Sequence, residues 1–422
     1  MTFPLEKSKV TLGIVPLTDC ALIAVAQACG FFARYGLDVT ISREQSWASL
    51  RDRIMVGALD GAHMLAPMLL AATLGIGTAP FPMVTGLSLG LNGNAVTISN
   101  ALHDEMIDLD AAYAGHPHAS ALALKKVVAA RRRAGKPLLT FATVFPFSLH
   151  NYLLRYWLAA ATIHPDRDVR LIVVPPPQMG AALTAGAIDG FCVGGPWNQV
   201  TVLDGHGYIA VTGYEIWNNA PEKVFGVSQA WAEQHPNTHL ALLSAMIEAA
   251  QWLNGKTNLA EAAKILAGRD YVGLDAGIIH ASLMGKYHYH MHAPAADIPD
   301  YHVFHGHAAN FPWVSHGLWV LTQMCRWGQL DASVNLAEIA RRVYRPDIFR
   351  AAAQPLGLPV PPLDMKPEGV HDSEWLFHDV VLGADRFCDG AVFDPAKPDH
   401  YVAQFLIHSY SARAESLISH AG

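Results

Sequence analysis

Two short stretches of the 422-residue chain pair a hydroxyl cap with side chains able to hold an anion. Ser46-Trp47-Ala48 follows a β-rich run at 37–42, and Ser148-Leu149-His150 follows another at 138–144. A serine ahead of an apolar-periodic stretch is an N-cap signal, because its oxygen accepts from the N–H groups of the first turn. The remaining N–H groups of that turn have no acceptor within the helix, and the peptide dipoles put positive charge there. An anion satisfies both. In open α/β sheets such helix starts lie at the carboxyl ends of the strands, where ligands bind. One start carries an indole and the other an imidazole, so face to face they would form a donor-rich site.

Other residues could do different chemistry. His288, His290 and His292 alternate, and His302, His305, His307 and His316 follow. On a strand, His-x-His puts both imidazoles on one face, as zinc or copper requires; without accompanying cysteines the stretch reads rather as a solvated loop, and no metal is assigned. Cys20, at a strand end with His63 nearby, could serve a thiol-based enzyme, although a lone cysteine is usually packing. The five cysteines are scattered without a CxxC pair, which suggests a reducing compartment. Arg131, Arg132 and Arg133 end a helical stretch, where cations suit the dipole. With a net charge of -7, no direct nucleic-acid contact is expected.

The elements that must position these residues follow an α/β pattern. Runs at 10–15, 37–42, 63–65, 82–87, 95–99, 138–144 and 171–174 read as strands separated by helical stretches, which implies parallel pairing with helices on both faces. Gly57-Ala58-Leu59-Asp60-Gly61 recurs 129 residues later as Gly186-Ala187-Ile188-Asp189-Gly190. Each copy joins a helix to a short apolar strand, which points to two similar lobes. The length also calls for two lobes, and 51% hydrophobic residues supply ample core. Crossovers near Ser99 and near residues 214–224 could form the hinge. That divides the chain into a first lobe from 1–98, a second from 99–215, and a return to the first over 216–422, whose Pro- and His-rich last third should wrap the first lobe. No apolar run of about 18 residues is present to span a membrane, and the N-terminal run is too short for an export signal.

Several motifs in order carry a family resemblance: Ser42-Arg43-Glu44-Gln45-Ser46-Trp47, residues 60–67 (DGAHMLAP), Leu91-Asn92-Gly93-Asn94-Ala95, 150–160 (HNYLLRYWLAA), 173–179 (VVPPPQM), 189–198 (DGFCVGGPWN) and Pro221-Glu222-Lys223. Together they resemble the nitrate- and bicarbonate-binding branch of ABC-transporter solute-binding proteins, closely over 10–231 and more loosely through 310–330 and 387–398. The resemblance implies a two-lobed periplasmic-binding-protein-like fold of type II, with mixed sheets flanked by helices, extra C-terminal helices, and the anion between the lobes. Carried over by motif, the anion-contacting positions are Trp47, Ala48, Asn94, His150 and Lys223. His150 and Lys223 favour the nitrate type over the bicarbonate type. Two positions depart from the pattern: Asn94 stands where some nitrate receptors have Gln, and Gly195 where the family usually has Glu.

The chemistry agrees with that assignment. Nitrate is planar, singly charged and accepts hydrogen bonds without donating. The Lys223 ammonium, a His150 N–H, the Asn94 amide and backbone N–H at Trp47 or Ala48 are donors, and Trp47 can wall the flat ion from water. Charge-assisted bonds of about 1.5–3 kcal/mol each leave roughly 8 kcal/mol after desolvation and closure, a micromolar affinity. Each residue also has an ordinary explanation: Trp47 as packing, Asn94 as part of an Asn-Gly turn, His150 as a cap, and Lys223 as one half of a surface ion pair with Glu222.

Without an export signal, the resemblance points to the cytoplasmic nitrate/nitrite sensor type (NasS type), which regulates an ANTAR-type RNA-binding antiterminator (NasT type) through anion-dependent lobe closure. The alternative is the solute-binding component of an ABC transporter, placed in the periplasm by a leader removed from this chain. A desulfinase-like enzyme on the same fold is a more distant alternative; no catalysis and no cofactor are expected.

Overall fold

Apolar runs at the start of the chain build one sheet and those in its middle build another. The computed structural model describes residues 4–110, 117–298, 300–331 and 333–409. The strands are β1 (Lys9–Ile14), β2 (Asp38–Arg43), β3 (Gly61–Leu65), β4 (Met83–Ser88), β5 (Leu91–Asn92), β6 (Asn94–Ser99), β7 (Thr140–Thr143), β8 (Arg170–Val173), β9 (Gly190–Gly194), β10 (Gly207–Thr212) and β11 (Lys223–Ser228). The first sheet has the order β2-β1-β3-β11-β4 and the second β10-β6-β9-β7-β8. β3, β4 and β9 are buried along their whole length, as expected of strands covered by helices on both faces.

Pairing is parallel where helices connect the strands: β1 with β2 and β3, and β7 with β8 and β9. It is antiparallel where the chain arrives from the other sheet. β11 runs against β3 and β4, and β6 runs against β9 and β10. The purely parallel pairing suggested by strand–helix alternation therefore gives way to mixed sheets, because a strand entering by a crossover comes in reversed.

The chain leaves the first sheet at Ser88 and is already in the second at Asn94, ahead of the Ser99 neighbourhood read from the sequence. Asn92 and Gly93 take positive φ there (59° and 89°), which turns the chain sharply into β6. The return crossover runs alongside: Asn92 N donates to Ala220 O at 2.8 Å, Leu89 N to Lys223 O at 2.8 Å, and Ala220 N to Asn92 Oδ1 at 3.0 Å.

The internal echo has one structural job in both units. Gly57 and Gly186 end their helical turns at positive φ (72° and 67°). The aspartate three residues on then clamps the neighbouring strand. Asp60 exchanges bonds with Thr11, N–H to O at 2.9 Å and Thr11 N to Oδ2 at 2.9 Å, and Asp189 does the same with Thr140 at 2.7 Å each.

The last third does more than wrap the first unit. Helix Val314–Arg326 is fully buried and packs on helix Ala66–Leu74 of the first unit. It also meets helix Leu149–Ala160 of the second, where Trp319 lies 6.2 Å from Tyr156 and 4.7 Å from Trp217. Tyr152 donates to Gln329 at 2.7 Å and Tyr156 to Asp389 at 2.8 Å. The apolar stripe of 314–326 is continuous, so it covers both neighbours rather than one.

Candidate anion site between the sheets

The two serine-capped helix starts form as their sequences require. Ser46 Oγ accepts from Ser49 N at 3.2 Å and opens helix Trp47–Met55. Ser148 Oγ accepts from Asn151 N at 3.1 Å and opens helix Leu149–Ala160. Trp47 is the first helical residue of one and His150 the second of the other, and both are buried. Ala48 follows Trp47, half-buried, in the turn whose N–H groups lack intrahelical acceptors. Asn94 opens β6 opposite Gly194, and Lys223 opens β11 opposite Leu65, so the two lie where the crossovers enter the sheets.

Lys223 is at the centre of the cluster and wholly buried. Its ammonium donates to Asp19 Oδ2 at 2.6 Å and to Glu222 Oε1 at 2.5 Å, and stands 5.6 Å from the Trp47 ring centroid. Glu222 Oε2 accepts from Asn94 Nδ2 at 2.5 Å, and His150 Nε2 lies 3.7 Å from Glu222 Oε1. His63 Nε2 stands 2.7 Å from Asp19 Oδ1, with its ring 5.1 Å from that of Trp47. The surface ion pair considered for Lys223 and Glu222 is thus a buried one. Trp47, Asn94, His150 and Lys223 converge on one place.

Electrostatics follow from burial opposed by partners. For Asp19 burial disfavours the charge, but Lys223 and His63 overcome it and hold the carboxyl well below its ordinary value. For Lys223 the two carboxylates likewise outweigh burial and raise its pKa. Burial holds the His63 and His150 imidazoles below their ordinary value, with Lys223 adding to the effect at both and Asp19 opposing it. Trp47 Nε1, Thr18 Oγ1 and both His150 ring nitrogens are buried with no hydrogen-bond partner among the described residues. Buried polar groups normally find partners, so the Trp47 indole N–H, the Thr18 hydroxyl, one N–H of His150 and the helix-start N–H groups are donors that suit an acceptor-only guest. The indole N–H is a donor beyond the wall role that the sequence suggested for Trp47.

Asp19, His63 and Thr18 were not assigned to the site from sequence. Asp19 and His63 are polar residues inside or beside otherwise apolar stretches, and that was their available signal. Gly194 and Gly195 complete the lining. A Cβ on Gly194 would lie 3.5 Å from His150 Nε2 and 3.4 Å from Asp19 Oδ2. One on Gly195 would lie 2.7 Å from Ser282 Oγ and 3.0 Å from Thr18 Oγ1, so the room a glutamate would need is taken by Ser282 and Thr18. Thr18 N donates to Gly195 O at 2.9 Å, Gly195 N to Gly93 O at 2.8 Å, and Trp197 Nε1 to Pro16 O at 2.8 Å, which stitches the two units together over the site.

The alternative chemistries find less geometry. Cys20 is buried, and burial with Asp19 beside it pushes its thiol up, away from the thiolate a nucleophile needs. Residues 288–292 lie outside any strand, so His-x-His does not share a strand face. His288 Nδ1 is 3.0 Å from Ala293 O, His305 Nδ1 is 2.9 Å from Asn310 Oδ1, and His316 Nε2 is 3.5 Å from Glu368 Oε1. Among the described residues no group of three or more His, Cys, Asp or Glu side chains is placed to hold a metal. Nor is any described helix long and apolar enough to cross a membrane.

Two mixed α/β sheets, joined by two crossovers and enclosing a charged site where they meet, define a two-lobed solute-binding protein of the periplasmic-binding type. The chain belongs to the NMT1-like family, whose profile matches residues 4–267. It is similar to the crystal structure of the periplasmic nitrate-binding protein NrtA from Synechocystis, with a TM-score of 0.85 and 32% identity, covering 96% of this chain and 100% of that one. It is 40% identical over 416 residues to the nitrate import ATP-binding protein NrtC of Synechocystis, covering 98% of this chain and 58% of that protein. It is 38% identical over 420 residues to the bicarbonate transport ATP-binding protein CmpC of Synechocystis, covering 97% and 57%. The chain therefore spans little more than half the length of these two transport proteins.

Proposed function

We propose that this chain binds nitrate or nitrite between its lobes and serves as the solute-binding unit of an ABC-type importer, with Trp47, Ala48, Asn94, His150 and Lys223 holding the anion. The observation that carries this reading is the burial of the Lys223 ammonium among Trp47, Asn94 and His150, a group of donors at the meeting of two sheets. The unpartnered indole N–H of Trp47 beside it is a donor only, which suits an anion with no proton of its own, hence nitrate or nitrite ahead of bicarbonate. The likeness to a nitrate-binding protein along nearly the whole chain supports the same choice.

The importer reading takes precedence over the cytoplasmic sensor inferred from the start of the chain, because the similar proteins are transport proteins. With it go a periplasmic place, as named for the Synechocystis NrtA, and ATP-binding partners in place of an antiterminator. Titration calorimetry with nitrate, nitrite and bicarbonate tests the ligand: micromolar nitrate or nitrite binding with bicarbonate at least tenfold weaker is expected, and bicarbonate binding tightest would overturn it.

A further inference from the structure

The carboxylate of Glu222 rests on donors that the bound anion needs. Its Oε1 accepts from Lys223 Nζ at 2.5 Å and its Oε2 from Asn94 Nδ2 at 2.5 Å, with His150 Nε2 3.7 Å from Oε1. A carboxylate and a nitrate are both planar, singly charged and acceptor-only. Glu222 is therefore an internal rival for the site.

The polar and titratable groups around Glu222 come from seven elements. Lys223 opens β11, and Asp19 comes from the turn after β1, with His63 of β3 2.7 Å behind it. Asn94 opens β6, His150 lies on helix Leu149–Ala160, and Cys192 lies on β9. His302, paired with Asn92 across β5, approaches over Gly93. Lys223 is the one Lys or Arg among these groups. Burial holds His63 and His150 below their ordinary value and His302 down to about 4, and it pushes the Cys192 thiol up. With Glu222 ionised, an entering monoanion would put three negative charges around one ammonium, away from water, which buried charges do not tolerate unpaired. One proton on Glu222 removes the excess and turns the rival acceptor into an O–H donor. Burial, reinforced by Asp19, already pushes the Glu222 carboxyl above its ordinary value against the pull of Lys223.

We propose that Glu222 decides when the site accepts an acceptor-only anion: it takes up one proton as nitrate or nitrite binds and then donates that proton's hydrogen bond. The inference rests on the reading that this site holds the anion.

Nitrate titration by calorimetry between pH 6 and pH 9, in buffers of different ionisation enthalpy, tests it. Uptake approaching one proton per nitrate is expected at the upper end, with affinity falling up to tenfold per pH unit there. Glu222→Gln, which keeps a donor and cannot ionise, is expected to bind nitrate without uptake, without the pH dependence, and at least tenfold tighter than the parent at pH 9. Nitrate binding by the parent with no proton exchange would overturn the proposal. So would uptake that persists in Glu222→Gln, or a folded Glu222→Gln that no longer binds nitrate. A parent that binds no nitrate at any pH would overturn the reading of the site itself, and the proposal with it.

Discussion

The two units contribute unlike halves to the same site. The first sheet and the crossover entering it bring every formal charge, Asp19, Glu222 and Lys223, together with His63 and Trp47. The second brings Asn94, His150 and the Gly194–Gly195 pair, which are neutral and directional or merely small. Charge is thus balanced largely within one unit, while the other supplies hydrogen-bond geometry and space. An anion's electrostatic attraction should depend on the first half, and discrimination by shape on the second.

Removing the cation should have the largest effect. Lys223→Ala strips the charge from the ligand's side and leaves Asp19 and Glu222 buried without their partner. Nitrate affinity should fall about 100-fold or more, in keeping with roughly 3 kcal/mol for a charge-assisted bond, and urea unfolding should show a loss of about 3–5 kcal/mol.

Acid should next expose the first half. His239, on helix Pro236–Leu253 behind β11, is buried with Nε2 unpartnered among the described residues, and burial lowers its pKa to about 4. The unfolded chain takes the proton near pH 6.5 while the folded chain does not, so stability falls as pH drops from about 6.5 to about 4. One such group contributes about 3 kcal/mol. Urea unfolding of His239→Phe should show that much less acid sensitivity.

His150→Ala tests the neutral half. It removes a donor that carries no charge, so affinity should fall roughly tenfold, about 1.5 kcal/mol, with stability little changed. A loss equal to that of Lys223→Ala would break the division of labour. The smallest effect is expected at Gly195→Ala, where the added methyl presses on Ser282 and Thr18. Overpacking of this kind costs about 1 kcal/mol, and thermal unfolding should show it alongside a modest loss of affinity.

Much of this plan was legible in the chain. Ser46 and Ser148 marked two helix starts because a cap is a local signal, and the repeated Gly-Ala-x-Asp-Gly marked two equivalent joins. Trp47, Asn94, His150 and Lys223 were nominated by motif, and the fold brings them together. What stayed hidden depends on tertiary meeting. Asp19 sits in an apolar stretch and acquires meaning only when Lys223, 204 residues away, arrives beside it. Glu222 looked like half of a surface pair because adjacency in sequence does not reveal burial. The antiparallel entry of β6 and β11 was likewise invisible to periodicity, which reads a strand but not its direction. The last third was expected to wrap the first lobe alone; that helix Val314–Arg326 is shared by both units emerges only from its tertiary contacts.

The central claim is that the anion lies on Lys223 between the sheets. A crystal structure with nitrate tests it most directly. Planar density within hydrogen-bond reach of Lys223 Nζ and of Trp47 Nε1 or His150 is the expected result. Nitrate bound elsewhere, with the Lys223 ammonium still held by Asp19 and Glu222 alone, would contradict it.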